Sequence, residues 1–304
     1  MDINAINEGL KKVGYIPDES LSTSLWLSAA LGRPLLLEGD AGVGKTSIAA
    51  ALAKMHGCQL IRLQCYEGLD LQQAAYEWNY SRQLLEIRLH EVVTENGRQD
   101  FDLFDRAFLL QRPLLQAIST DKSSVLLIDE IDRADEAFEA YLLEVLSDYQ
   151  ISIPELGTVR ATSIPQVILT SNGTRDLSDA LRRRCLYHFV DYPSLGREIE
   201  IVKNALPDAN TQLVESAVSF IHKLRKEDLQ KIPGVAETLD WIRALHQLKL
   251  SELPDDPELI LMTLSCLLKT KSDHWQMSGE SVTKLLGGER AGVTMGVAAG
   301  LSLA

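Results

Sequence analysis

Short apolar runs alternate with helical patterns along the first two thirds of the chain. Three runs are almost entirely apolar, which is typical of strands buried on both faces. The predicted strands are residues 35–37, 124–129 and 167–170, and the predicted helices are residues 18–31, 47–54 and 136–146. Because strands and helices alternate in this way, the sequence predicts an α/β fold with a parallel sheet flanked by helices.

The pattern changes twice further along the chain. Two alternating segments flank the turn sequence PELG and predict a protruding β-hairpin over about residues 149–162. After Pro193 the strand signals stop, and a helical pattern with proline breaks continues to about Ser272. We expect an α/β domain over residues 1–193, an all-helical lid domain over 194–275, and a tail of unknown structure over 276–304.

A complete phosphate-binding motif follows the first predicted strand. The sequence GDAGVGKT fits G-x-x-x-x-G-K-[ST] and lies between a strand and a helix, as this motif requires. Its glycines turn backbone N–H groups toward phosphates, its lysine reaches the β- and γ-phosphates, and its hydroxyl ligates magnesium. A chance glycine-rich turn is the weaker alternative. The predicted ATP-binding residues are Gly39, Asp40, Ala41, Gly42, Val43, Gly44, Lys45, Thr46 and Ser47.

An acidic pair, Asp129 and Glu130, ends the second predicted strand. Such a pair is usually the solvated start of a helix. Here it follows the phosphate-binding motif by about 80 residues, as the second motif of a P-loop ATPase does. We therefore expect Asp129 and Thr46 to hold Mg²⁺, and Glu130 to polarise the attacking water.

Two polar features follow the third predicted strand. Asn172 ends that strand, where its amide could orient water or contact the γ-phosphate, although an asparagine there is commonly a turn residue. Arg182, Arg183 and Arg184 form a basic triplet, which is usually a solvated helix face. An arginine supplied to a neighbouring subunit would instead neutralise transition-state charge. We assign this finger role to Arg184, with Arg183 as the alternative.

An aromatic-rich segment at about residues 67–90 separates the two nucleotide motifs. It includes Tyr76, Trp78 and Tyr80. One interpretation is an ordinary core helix with one buried tryptophan. The other is an inserted element that projects toward a protein client or a pore, and we favour this second interpretation.

Composition restricts the partners of this chain. It has 304 residues and a formal net charge of −13, whereas binding to a phosphate backbone requires clustered Lys and Arg. A nucleic-acid partner is therefore disfavoured. The sequence shows neither a signal peptide nor a membrane-spanning run, so we expect a soluble cytoplasmic protein. Its cysteines lack metal-ligand spacing, and we expect four buried, reduced thiols at Cys58, Cys65, Cys185 and Cys266.

Taken in order, these motifs resemble the MoxR-type AAA+ ATPases of the helix-2-insert group. The resemblance covers about residues 31–193 and rests on LGRPLLLEGDAGVGKT, LLIDEIDRADEAFEAYLLEVLSD, ISIPELGTVRA, LTSN and SDALRRRC. Two further segments, EGLDLQQAAYEWNYSRQLLEIR and PGVAETLDW, resemble the CoxD-like branch. That branch is associated with the maturation of molybdenum-containing carbon monoxide dehydrogenases.

The resemblance implies a hexameric ring, a partner with a von Willebrand factor A domain, and a metalloenzyme client that receives a metal cofactor. It also implies that Asn172 is sensor 1 and Arg184 the arginine finger. Many relatives carry a sensor 2 arginine at the start of a lid helix, where this chain has AET at residues 236–238. Arg243, a little over one turn further, is the remaining alternative.

Two other functions fit part of the sequence. A P-loop phosphotransferase of another class would use Lys45 and Thr46 equally well, but it leaves the arginine triplet and the hairpin without a role. A nucleic-acid motor or loader would use the hairpin to engage a strand, against the net charge of −13. We expect an ATP-hydrolysing remodelling chaperone.

Overall fold

A computed structural model describes residues 2–93 and 102–287, which fall into two compact units divided between Tyr192 and Pro193. The strands are β1 Leu35–Glu38, β2 Gln59–Gln64, β3 Tyr76–Trp78, β4 Leu109–Gln111, β5 Ser124–Asp129, β6 Gln150–Ile153, β7 Gly157–Arg160, β8 Gln166–Ser171 and β9 Leu186–Phe189. The helices are α1 Ile3–Lys12, α2 Glu19–Leu31, α3 Lys45–His56, α4 Leu71–Ala74, α5 Tyr80–Val93, α6 Pro113–Ser119, α7 Glu136–Asp148, α8 Asp179–Arg184, α9 Leu195–Ala205, α10 Thr211–Leu224, α11 Val235–Gln247, α12 Pro257–Thr263, α13 Lys271–Gln276 and α14 Gly279–Leu286. Short 3₁₀ helices occur at Arg106–Phe108, Ile131–Arg133 and Leu264–Cys266.

The first unit is built on a five-stranded parallel sheet with the order β2-β5-β8-β1-β9. Successive residues of β1 pack on opposite faces: Leu36 joins one core cluster, while Leu35 and Leu37 join the other. The predicted α/β class with a parallel sheet is confirmed. The apolar pattern revealed β1, β5 and β8 but missed β2 and β9, because these edge strands are only partly buried and carry polar residues.

The segment between β2 and α6 contains the residues predicted as an insertion, at about 67–90. Strands β3 and β4 pair antiparallel at its base, and Trp78 is buried there with its ring edge-on to Phe104 at 5.3 Å. Helix α5 differs, because Leu84, Leu85 and Leu89 are 61%, 58% and 51% exposed. The buried tryptophan of the first interpretation is present, but it lies on strand β3 and not on a core helix. Projection toward a client or a pore stays a prediction.

The predicted hairpin is present as β6 and β7, with Ile151 opposite Val159. One face of it is buried, because Ile151, Ile153 and Val159 belong to a core cluster of the sheet. Gly157 begins β7 with φ 87°, a backbone conformation that favours glycine. The strands are thus anchored on the first unit, and only the residues that alternate with these three face outward.

The second unit consists of α9 to α14 around its own core, in which the rings of Phe220 and Trp241 lie 5.3 Å apart. Helix α14 adds Val282 and Leu285 to this core. Ordered structure therefore extends past residue 275, into the segment for which the sequence offered no prediction. Residues 288–304 of that segment lie outside the described residues.

The four cysteines differ in exposure. Cys65 and Cys185 are buried, whereas Cys58 and Cys266 are partly exposed, and all four are free thiols. The prediction of four buried thiols is therefore wrong for two of them. Burial raises the pKa of both Cys65 and Cys185 to about 12, and nearby carboxylates contribute to the raised pKa of Cys65.

Within residues 2–93 and 102–287, no helix is both long and apolar enough to cross a membrane.

A buried carboxylate organises the helical unit. Glu198 on α9 is fully buried and pairs bidentately with Arg225, at 2.6 and 2.7 Å. Its oxygens also accept a hydrogen bond from Thr238 at 2.7 Å and lie 2.8 Å from His222 Nε2. Each carboxylate oxygen is therefore satisfied by two partners, which offsets the cost of burying the charge.

Arg225→Ala should destabilise the helical unit by about 3–5 kcal/mol, because it leaves the Glu198 carboxylate buried without its cation. Urea unfolding followed by circular dichroism measures the loss. Arg243→Ala is the matched control, since Arg243 forms an exposed pair with Asp240 at 3.0 Å; exposed pairs contribute at most about 1 kcal/mol. Equal effects of the two substitutions would contradict this role of Glu198.

Candidate active site

The carboxyl ends of β1, β5 and β8 bring three predicted site elements together. Lys45, at the start of α3, donates from Nζ to Gly39 O at 2.6 Å, Asp40 O at 2.7 Å and Asn172 Oδ1 at 2.8 Å. An ammonium group has three N–H donors, and here all three are used. The phosphate-binding loop is thereby joined directly to the end of β8.

The environment of Lys45 is unusual for a lysine. Its side chain is buried, at 6% exposure. Burial lowers the pKa of Lys45, and the carboxylates of Asp132, Asp40, Asp129 and Glu130 counteract part of that effect. A shielded ammonium interacts more strongly with a charged ligand than an exposed one does, which suits Lys45 to receive a phosphate oxygen.

The phosphate-binding loop requires glycine at its first position. Gly39 has φ 158°, and a Cβ there would lie 2.2 Å from Val190 O. Gly42 and Gly44 also have positive φ, at 82° and 98°. Of the other predicted contact residues, Asp40 and Ala41 are exposed, Val43 is buried in the core, and Ser47 Oγ donates to Gly44 O at 2.6 Å. The loop backbone thus adopts conformations that favour glycine at these three positions.

Asp129 lies at the centre of a second polar cluster. Its Oδ1 accepts hydrogen bonds from Thr46 Oγ1 at 3.0 Å and Thr170 Oγ1 at 2.6 Å. Its Oδ2 pairs with Arg62 Nη2 at 2.5 Å. Thr46 and Asp129, predicted from separate motifs, are therefore adjacent. No sequence signal indicated Arg62, which comes from the edge strand that the apolar pattern missed.

Glu130 has a strained backbone and an accessible side chain. Its φ and ψ are 55° and 51°, the left-handed region, which costs a non-glycine residue about 1–3 kcal/mol. Its N–H donates to Thr170 Oγ1 at 2.9 Å, so the same threonine orients both acids. The Glu130 side chain is 37% exposed, and Arg133 lies 3.8 Å from its carboxylate. The carboxylate is therefore accessible to water, as a group that activates water must be.

Asp132 connects the acidic motif to Asn172, and sequence reasoning missed it. Its Oδ2 accepts hydrogen bonds from the N–H groups of Asn172 and Thr174, at 3.2 and 3.0 Å, and from Thr174 Oγ1 at 2.6 Å. Burial alone would raise the pKa of Asp132, but these hydrogen bonds outweigh it and leave the pKa below its ordinary value. An ionised Asp132 therefore fixes the backbone on which the Asn172 amide is mounted.

The arginine triplet ends α8. Arg182 is paired with Asp176 at 3.2 Å. Arg183 and Arg184 are exposed, and their guanidinium groups make no ion pair or hydrogen bond with the described residues. The two arginines predicted to reach a neighbouring subunit are thus the two left free to do so, and the geometry does not choose between them.

The start of α11 has no arginine in the sensor 2 position. Gly234 N–H is capped by the Glu237 carboxylate at 3.0 Å, and Thr238 is buried against Glu198. Arg243 lies about two turns along the helix and is paired with Asp240. The departure noted in the sequence is therefore matched by the local structure, in which residues 237 and 238 serve the helical unit itself.

The residues present fit a nucleotide with Mg²⁺. The described residues contain no group of three or more His, Cys, Asp and Glu side chains that could hold a metal by themselves. Thr46 and Asp129 offer a hydroxyl and one carboxylate, and Mg²⁺ in phosphoryl-transfer sites takes one or two such ligands plus phosphate oxygens and water. The glycine cradle and the buried Lys45 ammonium supply the matching phosphate contacts.

The chain is similar in sequence to known proteins. The sequence profile of the AAA domain (dynein-related subfamily) matches residues 34–185, half of the chain. The gas vesicle ATPase GvpN1 of Halobacterium salinarum is 26% identical over 210 residues, which cover 66% of this chain and 58% of that protein. Midasin of Giardia intestinalis is 25% identical over 64% of this chain and 4% of its own length. An uncharacterised Staphylococcus epidermidis protein is 27% identical over 72% of this chain and 77% of its own.

Among solved structures, the Thermotoga maritima RuvB Holliday junction branch migration motor superposes with a TM-score of 0.44 at 20% identity, covering 85% of this chain and 68% of that one. A point mutant of the same motor gives a TM-score of 0.47 at 19% identity, over 90% and 72% of the two chains. Both superpositions concern the fold alone.

Arg62→Gln should tighten binding of a divalent cation by about three- to tenfold, because it removes a half-exposed positive charge that now pairs with Asp129. Mn²⁺ titration in the presence of ADP, followed by electron paramagnetic resonance, measures this affinity. The control is Arg112→Gln, which breaks a comparable 2.5 Å pair with Glu77 in the insertion. Weaker Mn²⁺ binding in Arg62→Gln would show that Arg62 supports the metal site instead of competing for Asp129.

Proposed function

The chain belongs to the dynein-related subfamily of AAA domains, and we propose that it is a magnesium-dependent ATPase that works as a ring of subunits to remodel a protein client. One observation carries the catalytic part. Lys45 Nζ lies 2.8 Å from Asn172 Oδ1, and Thr46 Oγ1 lies 3.0 Å from Asp129 Oδ1. Three separate segments therefore meet as a hydrolytic site requires, whereas a purely structural turn has no need of a buried ammonium.

In the proposed reaction, Lys45 and the loop N–H groups bind the phosphates, while Thr46 and Asp129 hold the metal. Bound Mg²⁺ supplies positive charge that stabilises the phosphate oxygens in the transition state. Glu130 accepts a proton from the water that attacks the γ-phosphorus, as the bond to the β–γ bridging oxygen breaks. Asn172 orients that water, on a backbone fixed by Asp132.

The arginine triplet supports the proposed ring. A free guanidinium on the surface of one subunit neutralises charge at a neighbour's nucleotide when subunits assemble. Arg183 and Arg184 meet this requirement, and we place the finger on Arg184. The chain resembles hexameric ATPases in its motif order, and we infer a homo-hexamer. Because it spans only 58% of the gas vesicle ATPase that it matches, activity and partners are proposals for this chain.

The client is proposed from the resemblance to MoxR-type and CoxD-like factors. Two features support it: the insertion between β2 and α6, with exposed leucines on α5, and the PGVAETLDW segment that opens α11. We infer a cytoplasmic factor that acts with a von Willebrand factor A-domain protein on a molybdenum-containing enzyme such as carbon monoxide dehydrogenase.

Co-expression of that enzyme with wild-type or Glu130→Gln protein, followed by metal analysis of the enzyme, tests the proposed client. Equal metal content in the two preparations would contradict the proposed client.

A nucleic-acid motor or loader is the alternative function. Net charge of −13 opposes contact with a phosphate backbone. Titration with single-stranded DNA while the ATPase rate is followed separates the two. A several-fold stimulation would contradict the protein-remodelling proposal.

Glu130→Gln should bind ATP with unchanged affinity but lose turnover by roughly a hundredfold or more, because an amide cannot accept the proton of the attacking water. A fluorescent ATP analogue measures binding, and phosphate release measures turnover. Glu136→Gln, an exposed neighbour at the start of α7, is the control and should behave as wild type. Normal turnover in Glu130→Gln would exclude it as the base.

Arg184→Ala should also bind ATP yet hydrolyse it slowly, because the neighbouring nucleotide loses its cation. Mixing it with Glu130→Gln subunits should restore part of the activity, since some interfaces then contain Glu130 from one subunit and Arg184 from the other. Arg182→Ala, which removes an arginine already paired with Asp176, is the control. If Arg183→Ala shows this behaviour and Arg184→Ala does not, the finger is Arg183.

A further inference from the structure

Arg33 binds the carboxyl end of α8, the helix that carries the arginine triplet. Its Nη2 donates to Arg183 O at 2.6 Å and to Cys185 O at 3.1 Å, and its Nε donates to Arg184 O at 3.1 Å. Three consecutive carbonyl groups are thus bonded to one guanidinium group. Two of them belong to the residues proposed to reach a neighbouring subunit.

The physical basis is the unpaired end of a short helix. The last carbonyl groups of a helix have no N–H partner within it, and they carry partial negative charge. Helix α8 has only six residues, so few internal hydrogen bonds hold its end in place. The planar fork of an arginine can bond several carbonyls at once, which the single ammonium of a lysine cannot match.

The base of Arg33 is itself held firmly. Its N–H donates to Ser28 O at 3.1 Å, and the buried Ser28 Oγ donates to Arg33 O at 2.7 Å. Tyr149 Oη donates to the preceding carbonyl, Gly32 O, at 3.0 Å. The guanidinium therefore extends from a loop whose backbone is fixed on both sides.

The other end of α8 is held independently. The buried Glu139 carboxylate accepts a hydrogen bond from Ser178 N–H at 2.9 Å and forms an ion pair with Arg175. Ser178 in turn caps the first turn of α8 through Leu181 N–H. Arg33 is thus the side chain that bonds the carbonyl groups at the end of the helix bearing Arg183 and Arg184, while Glu139 and Ser178 hold its beginning.

We propose that Arg33 is a positioning residue for the arginine that acts on the neighbouring subunit, an inference that rests on the function proposed above. Arg33 directly precedes Pro34 and strand β1, and β1 leads into the phosphate-binding loop at Gly39. The arginine offered to the neighbour is therefore attached to the strand that carries the subunit's own phosphate-binding loop. Arg33 acts only through the backbone of α8 and the residue that follows it.

Arg33→Gln tests this by removing the guanidinium contacts. We expect turnover to fall roughly ten- to hundredfold, the range for a displaced catalytic group, while affinity for a fluorescent ATP analogue changes less than about twofold. Mixing with Glu130→Gln subunits should restore part of the activity, because those subunits supply an intact Arg33 and Arg184. Arg112→Gln, which breaks a pair in the insertion, is the control and should hydrolyse ATP at the wild-type rate.

A second measurement does not depend on activity. Amide hydrogen exchange in Arg33→Gln should become faster at Cys185 and Leu186, whose N–H groups bond Leu181 O and Pro34 O. Exchange at the start of α3 should stay unchanged. In Arg33→Lys, which retains the charge, exchange and turnover should lie between those of wild type and Arg33→Gln.

The outcomes separate this inference from the proposed function. If Arg184→Ala is rescued by mixing and Arg33→Gln is not, Arg33 serves its own subunit's site and the inference is overturned. If Arg33→Gln has wild-type turnover and exchange, it is likewise overturned. If neither Arg184→Ala nor Arg183→Ala is rescued under proven subunit exchange, the trans-acting arginine fails, and the inference fails with it.

Discussion

The site depends on one buried cation. The Lys45 ammonium is buried and has lost its hydrating water molecules. Its charge is stabilised because oxygens of Gly39, Asp40 and Asn172 accept its hydrogen bonds in their place. Because Lys45 needs these three acceptors, it holds the phosphate-binding loop next to the end of β8. The same three bonds place a cation where a phosphate is expected, so the constraint that stabilises the loop also prepares it for its ligand.

Around that cation, a supporting set of polar side chains holds the groups that take part in the proposed reaction. Thr170 orients Asp129 and the strained Glu130 together, and Asp132 holds the backbone of Asn172. These contacts are made between strand ends that are far apart in sequence. The parallel sheet is therefore the source of the site's precision, because it brings the carboxyl ends of β1, β5 and β8 to one edge.

Local patterns in the sequence were enough to predict the central strands and the phosphate-binding loop. Almost entirely apolar runs identified β1, β5 and β8, and a spaced motif identified Lys45 and Thr46. Edge strands β2 and β9 were missed because their partly exposed polar residues dilute the apolar signal. Arg62, Asp132 and Arg33 were missed for another reason: their roles arise from contacts with distant residues, and nothing in their immediate neighbours distinguishes them from ordinary surface charges.

In the proposed mechanism, hydrolysis requires two subunits, one that binds the nucleotide and one that supplies an arginine. The most direct test measures the ATPase rate per subunit against protein concentration, with the mass of the assembly determined in parallel with ATP and Mg²⁺. Specific activity should rise as a ring of about six subunits forms. A monomer that hydrolyses ATP at a constant specific rate would contradict the two-subunit mechanism.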